Sequence, residues 1–389
     1  MMLSNTLPLG APLWPLALIL QPAFSAQYTS TNTPTPHQST ENCTCYVVNS
    51  GANSNTPSYF QYYRFFDFRN LADQSGQYVT APPLVNNSQG SGNEPVWNAD
   101  ILNSSAWSTD WEIQNWSKDA TKDFPTRMVY SPANVFLQQN NDTNNGFTFL
   151  TLRTTRLQDF QSAAEIENKQ KNLMHVSMRM VARVTGSKGA VAGFFTFFDD
   201  DNESDIEILT NDATDTIRYT NQPAVDKEGN EVSTASIASK KLAPWDNWQT
   251  HRIDWLEHNS YWYLNNKQVA ANAYSVPRKP SGLIINMWSD GGTWSGNMSV
   301  ADSAEFQIQY IEMTFNTSGP VAGPKKEDKR GDVGMFQKRK YKGCKVVCKI
   351  DDVQTLGTPE VVHVSTAVEM SVSWCLLGFV GTVSLWLGI

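Results

Sequence analysis

The stretch "MHVSMRMVARV" (174–184) is apolar at every second position. Met174, Val176, Met178, Met180, Ala182 and Val184 fall on one side, and His175, Ser177, Arg179 and Arg183 on the other. A period of two predicts a strand with one buried face and is incompatible with a helix. The runs "GFTFLTL" (146–152), "HRIDWLE" (251–257) and "LIINMW" (283–288) are also strand-like. In "YWYLNNKQVA", Asn265-Asn266 predicts the bend of a hairpin, because Asn tolerates positive φ. In "EFQIQYIEMTF" the apolar parity switches between Tyr310 and Ile311, which predicts a bulge. No long amphipathic helix is written between 59 and 315. The expected fold is all-β: two packed antiparallel sheets in one domain over residues 56–318.

The flanks differ in composition. Residues 1–25 carry an apolar run ending in small residues, with Ala23 and Ser25 placed for cleavage after Ser25. This reads as a secretory leader, although a basic start is missing; the alternative, a buried first strand, conflicts with the prolines and the lack of alternation. Residues 26–55 are rich in Ser, Thr and Pro and read as a linker. Eight N-x-S/T sequons and only 17% charged residues suit a glycosylated, secreted protein. Residues 370–389 contain no charge and are long enough to span a bilayer, yet no basic residue follows them. A lipid-anchor signal or a membrane span is therefore expected there.

Residues 319–369 read as a basic stalk. Ten Lys/Arg and three Asp/Glu lie between Lys325 and Lys349, in a chain whose net charge is −8. The stretch reads as a solvated spacer, a contact for anionic wall polymer or lipid headgroups, or a cleavage site after Lys329-Arg330. No cysteine lies between 46 and 343, so disulfides do not scaffold the main fold. Cys344–Cys348 is the expected pair, with the partners of Cys43 and Cys45 open.

"DDDNESDIEIL" (199–209) holds six carboxylates before it turns apolar. As a strand, it puts Glu203, Asp205 and Glu207 on one face and Ser204, Ile206 and Ile208 on the other. The isoleucines can anchor the strand between sheets while the acids face a cleft. Positions 203 and 207 lie roughly 13 Å apart along a strand, and inward-leaning side chains bring their carboxyls to roughly 5–6 Å. That spacing permits the retaining mode of glycoside cleavage, which needs about 5–5.5 Å. Asp205 between them would raise one neighbour's pKa and orient the other. Two other readings compete. A calcium loop starting at Asp199 lacks the Gly wanted at Ser204 and the Glu wanted at Thr210. A merely solvated acidic edge strand would not need the preceding apolar "GFFTFF" (193–198).

From about residue 59 to 317 the chain resembles glycoside hydrolase family 16, the laminarinase, lichenase and wall-transglycosylase group. The likeness rests on "ESDIEIL", on "HVSMRMVARV" followed by "GAVAGFFTFF", on "WQTHRIDWLEHNSYWYLNNKQV" and on "LIINMWSDGGTWSGNM", in that order. It implies a jelly-roll β-sandwich whose concave face holds an extended β-glucan. It further implies Glu203 as nucleophile, Asp205 as helper and Glu207 as general acid/base. Trp288 and Trp294 would line sugar subsites, and Asn221 in "YTNQP" would bond sugar hydroxyls. Thirteen tryptophans, several beside Gly and Asp, agree with stacking on sugar faces; Trp255 and Trp262 read as core.

Ser204 stands where an apolar residue is usual, and it makes Asn202 a sequon that should remain bare. The expected activity is endo-acting, retaining hydrolysis of β-1,3 or mixed β-1,3/1,4 glucan. Transglycosylation and non-catalytic glucan binding are the alternatives. No cofactor, metal or nucleic-acid partner is expected, and a surface-held monomer is.

Overall fold

In a computed structural model the described residues are 30–32, 43–51, 55–71, 78–140, 147–319 and 344–364. Residues 1–25 and 370–389, read above as leader and tail, lie outside them, as does Lys329-Arg330. Among the described residues no helix is long and apolar enough to cross a membrane.

Two sheets build the body, and nearly all their pairings are antiparallel. The inner sheet runs, in spatial order, Trp111–Ile113, Gln161–Asn168, Gly282–Trp288, Val191–Asp199, Asn202–Leu209, Ile217–Asn221 and Ser236–Ser239. The outer sheet runs Lys267–Asn272, Ser260–Leu264, Gln249–Trp255, Leu173–Gly186 and Ser303–Thr317. Beyond that last strand, Tyr62–Asp67 pairs with one half of it and Thr148–Arg156 with the other. Gln161–Asn168 belongs to both sheets. Its first residues pair with Thr148–Arg156 and, in parallel, with Met128–Tyr130; its later ones join the inner sheet. The result is the expected jelly-roll sandwich.

The alternation in 174–184 holds. Val176, Met178, Met180, Ala182 and Val184 are fully buried and meet Phe194, Ile206 and Ile208 of the inner sheet in one core. Trp255 and Trp262 are core residues too. Asn265 and Asn266 have φ of 50° and 65° at the bend of the predicted hairpin. The predicted bulge is present one residue earlier than the parity switch: Val181 pairs with Tyr310 and Ala182 with Ile308, which leaves Gln309 unpaired.

The flanks depart from expectation. Cys45–Ser50, inside the expected linker, and Val346–Lys349 and Glu360–Val364, inside the expected stalk, form strands. Together with Thr56–Phe60 they make a separate sheet ordered Glu360–Val364, Val346–Lys349, Cys45–Ser50, Thr56–Phe60. The expected Cys344–Cys348 bridge is not formed. The pairs are Cys43–Cys348 and Cys45–Cys344, which staple the two ends of the described chain together. The physical reason is that Cys45–Ser50 and Val346–Lys349 lie side by side in parallel, so neighbouring cysteines face each other across the strands rather than along one.

This small sheet covers the outward face of the outer sheet, and that is why Ser177 and Arg179 are buried instead of solvated. Tyr46, Val48 and Phe60 pack on Tyr63, Phe65 and Tyr310. Beside them lies a charged layer. Arg179 and Arg252 sit directly opposite each other on paired strands, an arrangement of like charges that needs compensation. Asp351, in the turn that follows Val346–Lys349, supplies it, 2.8 Å from Arg179 and 3.9 Å from Arg252. Glu312 and Asp254 complete the layer, and Ser50 Oγ donates to Asp254 (2.7 Å). Burial opposes the Asp351 charge, but the two arginines outweigh it and hold its carboxyl below the usual range.

Asp351→Ala should therefore cost about 2–3 kcal/mol in urea unfolding, less than a fully buried broken ion pair because Asp351 is partly exposed. A depressed carboxyl stabilises above its unfolded pKa, so the cost should fade as the pH drops below the carboxylate range. A cost under about 0.5 kcal/mol at neutral pH would mean the small sheet is not held through this charge.

Candidate active site

Asn202–Leu209 keeps strict alternation. Ser204, Ile206 and Ile208 are buried on the core side. Glu203, Asp205 and Glu207 line a cleft of about 540 Å³ over the inner sheet, with Phe195, Phe197, Trp288, Asn286, Glu165 and Trp116 among its walls. Register explains who meets whom. Glu207 pairs with Gly193, Gly193 with Asn286 and Asn286 with Glu165, so one row of residues crosses four strands on the cleft floor. Asp205, Phe195 and Ile284 form the next row. At Gly193 a Cβ would stand 2.5 Å from Asn286 Oδ1, so a larger residue would displace that side chain from the floor beside Glu207.

Burial makes all three acids hold their protons to higher pH than free carboxyls. Burial pushes Asp205 well up, and the charges of Glu203 and Glu207 add to it. Gln222 Nε2 donates to Asp205 Oδ2 (3.3 Å), while the other, buried oxygen meets no N–H or O–H donor among the described residues. A hydrogen bond joins Asp205 to Glu203, and two carboxyls can share one only if a proton lies between them. Glu203 is itself raised by burial, and the Asp205 hydrogen bond works in the opposite direction, favouring its ionised form.

Glu207 is pushed up to about 7 by burial, against the pull of the Trp294 indole and the Arg218 guanidinium. Trp294 Nε1–H donates to Glu207 Oε1 (3.1 Å), and Arg218 lies 4.7 Å over the Trp294 ring while paired to Asp212.

Of the other residues singled out in the sequence, Trp288 lines the cleft and Trp294 reaches its edge through Glu207. Asn221 does not. It pairs with Ser204, shares its core-facing side, is fully buried, and donates from Nδ2 to the Tyr274 carbonyl (2.9 Å). Its neighbour Gln222, one residue out of phase, is the one that reaches Asp205. Asn202 is buried; its Nδ2 donates to Asp199 (2.6 Å) and its Oδ1 accepts from Arg278 N (3.0 Å).

Sequence reasoning missed a second carboxylate station. Glu165 is buried opposite the triad and pushed up to about 7 by burial, against N–H donors from Trp116 (3.0 Å) and Asn286 (3.3 Å). The signal was present: "SAAEIEN" places Glu165 and Glu167 in the same two-residue alternation as the triad, and both line the cleft.

The fold is a jelly-roll sandwich with a row of acids on the floor of an open cleft. Residues 129–312 match the model of Glycosyl hydrolases family 16. Among solved structures it is similar to a Bacillus licheniformis beta-glucanase at 16% identity, covering 53% of this chain and 92% of that one with a TM-score of 0.43. A Bacteroides ovatus family 16 protein bound to a mixed-linkage glucan product is 14% identical, over 53% of this chain and 94% of that one, with a TM-score of 0.42. A beta-1,3-1,4-glucanase from a mouse hindgut metagenome is 15% identical over the same shares, with a TM-score of 0.42. Comparison with curated proteins finds no match.

Glu207 holds its proton to higher pH folded than unfolded, about 7 against an ordinary 4.5. Its contribution to stability is present below the lower value and is lost as pH rises through the upper one. Glu207→Gln keeps the shape without the charge. It should melt above wild type at about pH 8 and level with it at about pH 4. Equal melting at both pH values would mean that Glu207 is not buried as described.

Proposed function

We propose that this protein is an endo-acting, retaining glycoside hydrolase of β-glucans, β-1,3 or mixed β-1,3/1,4, working outside the cell from a surface anchor. The observation that carries the reading is the set of three acids on one face of one rigid strand, crossing the floor of an open, aromatic-walled cleft. Glu203 is the nucleophile: the Asp205 hydrogen bond favours its anion, and attack at the anomeric carbon forms a glycosyl-enzyme. Glu207, protonated up to about pH 7, gives its proton to the leaving oxygen and then takes one from the incoming water. Asp205 stays protonated and positions Glu203. The β-glucan assignment draws on the resemblance and on flat aromatic walls suited to sugar faces.

Glu207→Gln should lower kcat on laminarin or lichenan by about 10²–10⁴-fold. Glu203→Ala should be inactive, and azide should restore turnover with an inverted glycosyl azide as product. Trp294→Phe, which removes a donor that favours the Glu207 anion, should move the alkaline limb of the rate upward. Initial products of inverted configuration in wild type, read by NMR, would overturn the double-displacement reading. Equal glucan binding without turnover in wild type and Glu203→Gln would favour the non-catalytic reading.

A further inference from the structure

We propose that Gln222 is a positioning residue for the nucleophile: it holds the Asp205 carboxyl in the orientation that presents a hydrogen-bonding proton to Glu203. The proposal rests on the reading of Glu203 as nucleophile and names what keeps that group in order. Gln222 is bound to the acid strand twice. Its backbone N–H donates to the Glu203 carbonyl (3.1 Å), and its side-chain Nε2 donates to Asp205 Oδ2 (3.3 Å). The amide cannot be turned round. Ala224 N–H donates to Gln222 Oε1 at 2.7 Å, and a backbone N–H can only donate. With its oxygen taken, the side chain must aim its NH2 at Asp205. The segment beyond is braced in turn. Tyr274 O–H donates to the Pro223 carbonyl (3.1 Å), Asn221 Nδ2 to the Tyr274 carbonyl (2.9 Å), and Val232 N–H to the Ala224 carbonyl (2.8 Å).

The contact decides which oxygen of Asp205 carries a proton. In a protonated carboxyl the carbonyl oxygen accepts better than the hydroxyl oxygen. An N–H on Oδ2 therefore favours the carbonyl there. It leaves Oδ1, which meets no other donor among the described residues, as the oxygen that shares a proton with Glu203. Without Gln222 the proton could sit on either oxygen, and Glu203 would lose a donor that favours its anion. Gln222 is not among the residues that line the cleft, so its effect on chemistry passes through Asp205. The charged groups around the pair are Glu207 and Asp200 on the same segment and Arg218 on the following strand. Val191–Asp199 presents Phe195 and Phe197, and Glu165 lies three strands off across the floor.

The test measures kcat and KM against pH on laminarin or lichenan for wild type, Gln222→Met and Gln222→Glu, with thermal unfolding to confirm that each folds. Gln222→Met keeps the size of the side chain and drops both of its hydrogen bonds. Its kcat should fall about tenfold with KM within about twofold. Its acid limb should move to higher pH, because the Glu203 anion has lost support. In Gln222→Glu, Ala224 still claims one oxygen, and the other can donate to Asp205 only while protonated. Relative to wild type, its kcat should be near normal at acid pH and fall to the Gln222→Met level as the new carboxyl ionises. A wild-type kcat and acid limb in Gln222→Met would overturn the proposal. So would a raised KM at unchanged kcat, since Gln222 would then touch substrate. An equal loss in Gln222→Glu at every pH, the mark of a merely structural role, would overturn it too. If wild type cleaves no polysaccharide, the catalytic reading falls, and carbon-13 NMR of labelled carboxyls decides the pairing. The Glu203 carboxyl, assigned with Glu203→Gln, should titrate at higher pH in Gln222→Met than in wild type; an unmoved titration would refute the role given to Gln222.

Discussion

Two isoleucine side chains set the direction of three acids. Ile206 and Ile208 are locked in the core against the methionine-rich face of Leu173–Gly186. A strand cannot bury them without turning Glu203, Asp205 and Glu207 the other way. A shift of one residue would put carboxylates into the sandwich, at a cost no neighbouring cation offsets. The geometry of the cleft therefore derives from hydrophobic packing on its far side. The electrostatics follow from the same placement, because acids crowded on a half-buried floor hold protons that they would lose in water.

The crowding has a stability cost that function can use. Raised carboxyls make the folded chain least stable where the acids ionise, and pKa values pushed apart are what a proton donor and a nucleophile on one strand need. The Asp205 hydrogen bond favours the Glu203 anion, while an indole and a guanidinium temper Glu207. The opposite face of the molecule uses a different solution, with Arg179, Arg252, Glu312, Asp254 and Asp351 neutralising one another beneath the small sheet.

Much of this was legible because periodicity carries it. The parity of 174–184, the turn at Asn265-Asn266, the core tryptophans and the shared face of the three acids all follow from a period of two. What was lost lay in pairings between distant segments. Asn221 or Gln222 could each have faced the triad, and only the register against Asn202–Leu209 decides it. Glu165 and Trp116 sit far from the triad in sequence and meet it only because Gly282–Trp288 and Val191–Asp199 intervene in the sheet. Residues 43–50 and 346–364 are too short to bury a face alone, so nothing local marks them as strands; they become a sheet only when joined.

The joining has one more consequence. Lys329-Arg330 lies between the body of the fold and Cys344 and Cys348, which are bridged to Cys45 and Cys43. A protease that cut after Arg330 would break the backbone without releasing anything. The piece starting at Gly331 would remain cross-linked at two points, and Asp351 would still be seated on Arg179. Such a nicked molecule would run as two bands only after its thiols were freed. Whatever hangs from its final residues would stay fastened to the enzyme.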